Sequence, residues 1–167
     1  IIVTAELIPV ANPDFELGPP GTKATELARI VDRGIRESKC IDFKKLCVRK
    51  GEKIWMVFID IYPLNDDGNL VDASVLASLK ALSDAKFPKL NDDKVDHETK
   101  TAVGLKLEKI PILTTLYKIG NSILVDVNNK EEQIIDSRLS VSIADGNIHA
   151  LQKGGDFSLT IDFSLLS

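Results

Sequence analysis

The chain has 167 residues, enough for one domain with a core of its own and too few for two. Its 44% hydrophobic and 28% charged residues are typical of a globular protein. The net charge of −4 excludes a protein that coats nucleic acid indiscriminately, so contact with RNA or DNA needs a local basic patch or a partner. No apolar run approaches the roughly 18 residues that span a bilayer, and residues 1–10 lack the features of a signal peptide. We therefore expect a cytoplasmic protein with no membrane contact.

The first elements in chain order are a predicted strand over residues 1–10, a loop rich in Pro and Gly over 11–21, and an amphipathic helix. The stretch 17–39 organises this half of the chain, because Pro and Gly end any earlier helix and Thr22 is a candidate N-cap. Apolar residues recur at helical spacing and predict a buried face. These residues are Leu27, Ile30, Val31, Gly34 and Ile35.

The opposite face of this helix carries three arginines, Arg29, Arg33 and Arg36. Their spacing of four and then three residues places the guanidinium groups within a stripe roughly 60° wide. One interpretation is a solvated face, on which acidic neighbours pair with the arginines. Those neighbours are Glu26, Asp32 and Glu37. The other interpretation is a site that binds phosphate, since a planar guanidinium can bind two phosphate oxygens at once. The spacing alone leaves both interpretations open.

Two strands are predicted after this helix. A short strand over residues 45–49 ends in a turn at 50–52. Residues 54–62 are apolar on both faces apart from Asp60, a pattern that predicts a central strand covered by helices. We expect Asp60 to cap or bond a turn rather than to act as a catalytic acid.

A second helix is predicted over residues 70–86, after a turn at 65–69 that lacks the downstream Glu of a calcium loop. Its pattern is apolar nearly all round, which predicts a buried helix. Small residues at every fourth position would let a neighbour approach closely. They are Ala73, Ala77 and Ala81.

The remaining chain predicts a polar loop over residues 88–100 and then an antiparallel meander. The four strands of the meander are predicted at residues 112–118, 122–127, 138–144 and 148–152. Turn signals stand at 120–121 and 145–147, and the acidic stretch 128–136 predicts a loop or a single helical turn. Gly154 and Gly155 predict a sharp turn near the end.

Residues that could form an active site are scattered along the chain. Cys40 and Cys47 make neither a CxxC motif nor a disulfide framework, so we expect two buried free thiols. His97 and His149 are isolated from each other and from both cysteines, which leaves no pattern of zinc ligands. Motifs for a serine nucleophile, a phosphate-binding loop or a dinucleotide site are absent from the sequence. We predict no catalytic residue, metal or cofactor in this chain.

Three segments together resemble the RNase PH family. They are FELGPPGTKATELARIVDRGIRESK, IWMVFIDIYPLNDDGNLVDASVLASLKAL and ILVDVNNKEEQIIDSRLS. Within the family the resemblance is to the non-catalytic ring subunit of archaeal exosomes. It implies an α/β (α+β) fold, a mixed β-sheet packed with α-helices, in a single domain over residues 1–167. Because the family's N-terminal strands and C-terminal helix have no match here, we expect a fragment shortened at both ends.

The resemblance also implies a function and partners. Such subunits alternate with a catalytic paralogue in a hexameric ring that carries RNA-binding cap subunits, and single-stranded RNA threads through the centre. Inorganic phosphate attacks the RNA 3′ end at the partner's site, where Mg²⁺ can assist. The helix arginines of the silent subunit, here Arg29 and Arg33, bind the RNA backbone, whereas no such role carries over to Arg36.

The acidic stretch bears on whether the chain is itself catalytic. Active relatives carry two acidic residues six positions apart, and an ungapped match places Glu132 and Arg138 there. A cation at the second position would repel a divalent metal, and Asp136 comes two residues too early. The resemblance therefore implies a silent subunit. The alternatives are an active phosphorolytic 3′→5′ exoribonuclease of the same family and an unrelated α/β domain whose arginines only pair with neighbouring acids.

Overall fold

The computed structural model describes residues 1–91 and 94–155, apart from the side chain of residue 97. The predictions for the His97 side chain and for the last residues, 156–167, therefore lie outside the described residues. The α-helices of the described part are α1 (Thr22–Glu37), α2 (Leu70–Asp84) and α3 (Asn129–Glu132), and a short 3-10 helix spans Phe43–Leu46, where the strand predicted at 45–49 was expected to begin. The strands are β1 (Ile2–Ala5), β2 (Cys47–Arg49), β3 (Lys53–Ile54), β4 (Phe58–Ile61), β5 (Lys86–Asn91), β6 (Lys94–Gly104), β7 (Ile112–Ile119), β8 (Ser122–Val125), β9 (Ser137–Ala144) and β10 (Asn147–Gly155).

A parallel pair of strands anchors the N-terminal half. β1 pairs in parallel with β4, and α1 lies between them in the sequence, as a parallel connection requires. α1 packs against β1 and α2, and α2 packs in turn against β7. The main hydrophobic core lies between these elements and includes Val31, Ile35, Val75 and Leu113. None of the described helices is long and apolar enough to cross a membrane.

The helix α1 buries the apolar face that its spacing predicted, with the five predicted residues all buried. The predicted N-cap was wrong by one residue. Gly21 occupies the N-cap position in an extended conformation, Thr22 is the first helical residue, and no side chain caps this end. Because Gly21 already takes the extended conformation of an N-cap, the helix begins one residue earlier than a cap at Thr22 would place it.

In the described chain the helix α2 is buried on one face only, so the prediction of burial all round was wrong. Its buried face carries Val75 and Leu79 together with the small polar residues Ser74 and Ser78. The alanines predicted to meet a neighbour lie on the other, exposed face, where Leu76 is 63% exposed. Serine therefore supplies the small side chains at the contact, and its hydroxyl bonds within the helix, as Ser78 does to the Ser74 carbonyl at 2.7 Å.

The strand β4 differs from the predicted central strand. Within the described residues it pairs with β1, and it buries Ile59 while Phe58 stays 59% exposed. An apolar run shows that both faces suit burial, but it does not show that this chain covers both. Asp60 neither caps nor bonds a turn; it accepts a hydrogen bond at 2.6 Å from the hydroxyl of Thr4, its partner across the strand pair.

The predicted loop at residues 88–100 is instead part of an antiparallel hairpin formed by β5 and β6. The pairing is irregular, since its register shifts on both sides of Pro88, which has no N–H to donate. That irregularity and the many charged residues explain why the sequence predicted no strand here. A smaller hairpin, β2 with β3, encloses the predicted turn at 50–52.

A four-stranded antiparallel sheet in the order β10-β9-β7-β8 forms the C-terminal half of the described chain. All four predicted strands are present, but the meander was wrong, because β9 pairs with β7 rather than with β8. The acidic stretch makes this possible: its helical turn, α3, lies in the connection that takes the chain from β8 past β7 to β9. Gly154 and Gly155 continue β10 opposite Arg138 and Ser137, so the sharp turn predicted for them was also wrong.

Candidate nucleic-acid interface

An open groove of about 820 Å³ runs along the exposed face of α1. The first turns of the helix, two of its arginines and one residue of β10 line this groove. The polar side chains in the lining are Thr22, Thr25, Glu26, Arg29, Arg33 and Gln152. The structure thus brings Arg29 and Arg33 together on one surface, as the spacing of the arginines predicted.

The two groove arginines keep most of their donors available. Arg33 is exposed and donates one hydrogen bond from Nη1 to Gln152 Oε1 at 3.2 Å, which leaves the rest of its guanidinium open. Arg29 is exposed as well, and it has no hydrogen bond or ion pair to any residue that the structure describes. Both groups can therefore offer N–H donors to an anion in the groove.

The third arginine of the helix is already engaged. Arg36 binds Asp32 at 2.7 Å, one turn earlier on α1, and its Nη2 also donates to the carbonyl oxygen of Ile1 at 3.2 Å. The hydrogen bond to Asp32 raises the pKa of Arg36. The solvated ion-pair interpretation thus describes Arg36, but not Arg29.

A carboxylate of the groove is paired with a distant part of the chain. Glu26 Oε2 lies 2.6 Å from Nη2 of Arg138, which is on β9, and the Arg138 side chain is 17% exposed. This pairing differs from the sequence interpretation, in which Glu26 pairs with an arginine of its own helix. The ion pair fastens α1 to the C-terminal sheet beside the groove.

The two positions that the resemblance matches to catalytic acids lie near each other: Glu132 and Arg138 both line one narrow cleft of about 20 Å³. Arg138 brings a positive charge to this cleft, and a positive charge does not suit a divalent cation. Asp136 is turned away: its carboxylate accepts a hydrogen bond at 2.7 Å from the N–H of Gly120, in the β7–β8 turn.

In the described part of the chain, no group of three or more His, Cys, Asp and Glu side chains stands where it could hold a metal ion. His149 is half-buried, and its Nε2 has no partner among the described residues. That this chain binds no metal and no cofactor of its own stays a prediction.

A buried polar network supports the elements around the cleft. Asp72 at the start of α2 accepts hydrogen bonds from the backbone N–H and the hydroxyl of Thr115 on β7, at 2.9 and 2.6 Å. Tyr117, fully buried on the same strand, donates its hydroxyl to Asn69 Oδ1 at 3.0 Å. Burial raises the pKa of Tyr117 strongly, with a further contribution from the charge of Glu132. These groups join α2 to β7.

Sequence reasoning missed Gln152 and the pairing of Glu26 with Arg138. Gln152 lies 119 positions from Arg33 along the chain, and it has an ordinary polar side chain in an exposed-strand pattern. No periodicity within α1 could indicate either contact, because both depend on how β9 and β10 lie against the helix.

Two family models match this chain over most of its length. The model described as 3′ exoribonuclease family, domain 1, matches residues 1–88, and the model for domain 2 matches residues 109–162. The chain belongs to the 3′ exoribonuclease family. The predicted membership of the RNase PH family is therefore confirmed.

Individual relatives point to one branch of the family. The exosome complex component Rrp42 of Methanopyrus kandleri is 46% identical over 162 residues, which are 94% of this chain and 61% of the relative. The Rrp42 component of Archaeoglobus fulgidus is 44% identical over 160 residues, 95% of this chain and 60% of the relative. This chain thus spans about three fifths of the length of the curated relatives that it matches.

Solved structures confirm the predicted fold. A chain of the Archaeoglobus fulgidus exosome with RNA bound to its active site matches with a TM-score of 0.86 and 42% identity, over 99% of this chain and 63% of that one. A chain of an archaeal exosome core matches with a TM-score of 0.80 and 38% identity, over 99% and 60%. The mixed α and β architecture described above is accordingly the RNase PH-like fold. The prediction that residues 1–167 form a single domain stays a prediction.

Proposed function

We propose that this chain works as a non-catalytic subunit of an exosome ring, where it binds the RNA backbone and completes the active site of a catalytic partner. The observation that carries the proposal is the contrast between two neighbouring places. The groove of Arg29 and Arg33 is open and keeps donors available, whereas the narrow cleft beside it combines Glu132 with a cation, Arg138, in place of a second acid. Both features support a subunit that holds phosphates for the active site of a partner.

The relatives support this proposal. The curated proteins that match over nearly the whole chain are exosome components, and one matching structure is an exosome with RNA in its active site. For this chain we infer a catalytic RNase PH-like paralogue that alternates with it in a hexameric ring, together with RNA-binding cap subunits and single-stranded RNA. Inorganic phosphate and Mg²⁺ belong at the partner's site in this scheme. A cytoplasmic location is part of the same proposal.

The chemistry of the groove suits the RNA backbone rather than particular bases. Arg29 and Arg33 stand one helical turn apart, so their guanidinium groups can hold phosphates spaced along one strand. Phosphate contacts fix the position of a strand without reading its sequence. The alternative, an active exoribonuclease, is not favoured, because Arg138 holds a permanent positive charge in the place of an acid.

The test is the double variant Arg29→Ala with Arg33→Ala, in the protein assembled with its catalytic partner. We expect affinity for a labelled oligoadenylate to fall about tenfold or more, because two charge-assisted contacts are lost. The slope of log affinity against log salt should become shallower, by up to about 0.7 for each lost charge on a single strand.

The matched control is Arg36→Ala combined with Asp32→Asn, which removes the third arginine of the helix together with the carboxylate that it holds. Since this ion pair does not line the groove, we expect its loss to leave RNA affinity and the salt slope unchanged. Unchanged affinity and slope in the double variant would contradict the proposed function.

A further inference from the structure

The carboxylate of Glu26 poses a problem for a groove that binds phosphate. Glu26 lines the groove and stands three residues before Arg29 on α1. Side chains at this spacing are neighbours on a helix, and opposite charges at this spacing pair readily. A free Glu26 would therefore compete with phosphate for Arg29 and would also repel the phosphate.

The structure shows what prevents this competition. Glu26 is bound at 2.6 Å by Arg138 from β9, and Arg29 remains without a partner in the described chain. The nearby Lys23 does not pair with Glu26, because its ammonium lies 3.9 Å from Asp66 and over the ring of Phe15. In the described residues, Arg138 is thus the cation that satisfies the carboxylate of the groove.

The fold also reserves space for the guanidinium of Arg138. Gly154 lies opposite Arg138 in the β9–β10 pairing, and a Cβ at Gly154 would come within 2.6 Å of Arg138 Nε. With 17% of its side chain exposed, Arg138 lies across this glycine and reaches α1 from the sheet. Its position is therefore set by the sheet, independently of the groove.

We propose that Arg138 is a positioning residue: by holding Glu26, it leaves Arg29 free to bind an RNA phosphate. This inference rests on the proposed function, and it gives a role to a residue that stands where active relatives carry an acid. The same substitution that removes the acid from the cleft also neutralises the carboxylate of the groove. Arg138 itself contacts no RNA in this scheme.

A purely structural ion pair would behave differently, and this difference defines the test. If the pair only fastened α1 to the sheet, removing either partner would disturb the groove in the same way. If Arg138 acts by occupying Glu26, removing Arg138 releases a harmful carboxylate, whereas removing Glu26 deletes that carboxylate. The two single variants should then change RNA affinity in opposite directions.

The experiment measures binding of a 5′-fluorescent oligoadenylate to the protein assembled with its catalytic partner. We expect Arg138→Gln to weaken binding at least threefold, Glu26→Gln to bind at least as tightly as the unaltered protein, and the double variant to return to within twofold of it. In an Arg29→Ala background, Arg138→Gln should have a smaller effect, because the residue that Glu26 would capture is gone and only the repulsion between Glu26 and phosphate remains. Arg36→Gln combined with Asp32→Asn is the matched control: it removes an ion pair of the same helix outside the groove, leaves no free carboxylate beside Arg29 and should not change affinity.

Thermal unfolding of each variant accompanies the binding data. Should Arg138→Gln not fold, Glu26→Gln and Arg138→Lys decide the question, since lysine keeps the charge that holds Glu26. Weaker binding by Glu26→Gln, or unchanged binding by a folded Arg138→Gln, would overturn the inference. If Arg29→Ala with Arg33→Ala weakens binding while Arg138→Gln does not, this inference fails and the proposed function stands. If the arginine pair has no effect either, the proposed function fails first.

Discussion

At the scale of single residues, the environment of a side chain decides its chemistry more than its type does. Arg29, Arg33 and Arg36 share one face of α1, yet Arg36 is held by Asp32 while Arg29 has no partner among the described residues. The spacing that placed them together could not separate them. They differ because Asp32, one turn before Arg36, pairs with Arg36, whereas Glu26, one turn before Arg29, pairs with Arg138 instead of Arg29.

The two cysteines show the same effect. Both were predicted to be buried, but Cys40 is fully buried at the end of α1 whereas Cys47 is exposed at the start of β2, so the prediction for Cys47 was wrong. Burial raises the pKa of the Cys40 thiol to about 11, which keeps it protonated and unreactive at neutral pH.

We expect a thiol reagent such as Ellman's reagent to modify the exposed Cys47 of the native protein quickly, and the buried Cys40 only after unfolding. In Cys47→Ser the fast phase should disappear, and in Cys40→Ala it should remain. Because folding raises the pKa of Cys40, the folded state keeps a proton that the unfolded state loses, so this thiol should lower stability as pH rises from about 9 to 11. Rapid modification of Cys47→Ser under native conditions would contradict this assignment.

At the scale of elements, α2 shows how far composition can mislead. Its residues are so largely apolar that the sequence predicted burial on every side, but only the face with Val71, Val75, Leu79 and Leu82 is buried in the described chain. The opposite face, with Leu76 and the three alanines, is exposed. Alanine favours a helix whether or not it is buried, so its presence does not indicate a contact.

The two faces of α2 should respond differently to the same substitution. Leu79 is 4% exposed. Its replacement by alanine should lower the free energy of unfolding by about 2–5 kcal/mol, because the shorter side chain leaves a cavity in the core. Leu76 is 63% exposed, and its replacement by alanine should change the free energy of unfolding by no more than about 0.5 kcal/mol. Urea unfolding of both variants measures the difference. Equal losses would show that α2 is buried all round, as the sequence had predicted.

At the scale of the whole molecule, the fold places the open groove of α1 beside a narrow cleft. The helix α1 connects them, since Glu26 borders both the groove and the cleft of Glu132 and Arg138. This arrangement suits the proposed function, in which the chain holds a strand of RNA for a catalytic subunit.

We expect the purified chain, supplied with RNA, phosphate and Mg²⁺, to release no nucleoside diphosphates. Phosphorolysis requires phosphate and the RNA 3′ end side by side with an acid or metal near the leaving group, and in this proposal Arg138, whose charge is permanent, stands in the place of the second acid. Addition of the catalytic paralogue should produce activity, and Arg29→Ala with Arg33→Ala should then reduce it. Phosphate-dependent shortening of RNA by a preparation shown by mass spectrometry to contain no partner would overturn the silent-subunit proposal.

The features that were predicted correctly from the sequence are those that depend on residues close together along the chain. The buried face of α1, the shared face of its arginines, the turns at 120–121 and 145–147 and the helical turn in the acidic stretch follow from helix periodicity and turn chemistry. Membership of the RNase PH family was also predicted from long segments of the sequence, and the family models confirm it.

The features that could not be predicted are contacts between distant parts of the chain, which form only in the folded protein. The pairing of β9 with β7, the exposed face of α2, the hydrogen bond from Arg33 to Gln152 and the ion pair between Glu26 and Arg138 join residues that the sequence keeps far apart. Local patterns fix the direction in which a side chain leaves its own helix or strand. Its partner depends on which other element packs there, and that is a property of the whole fold.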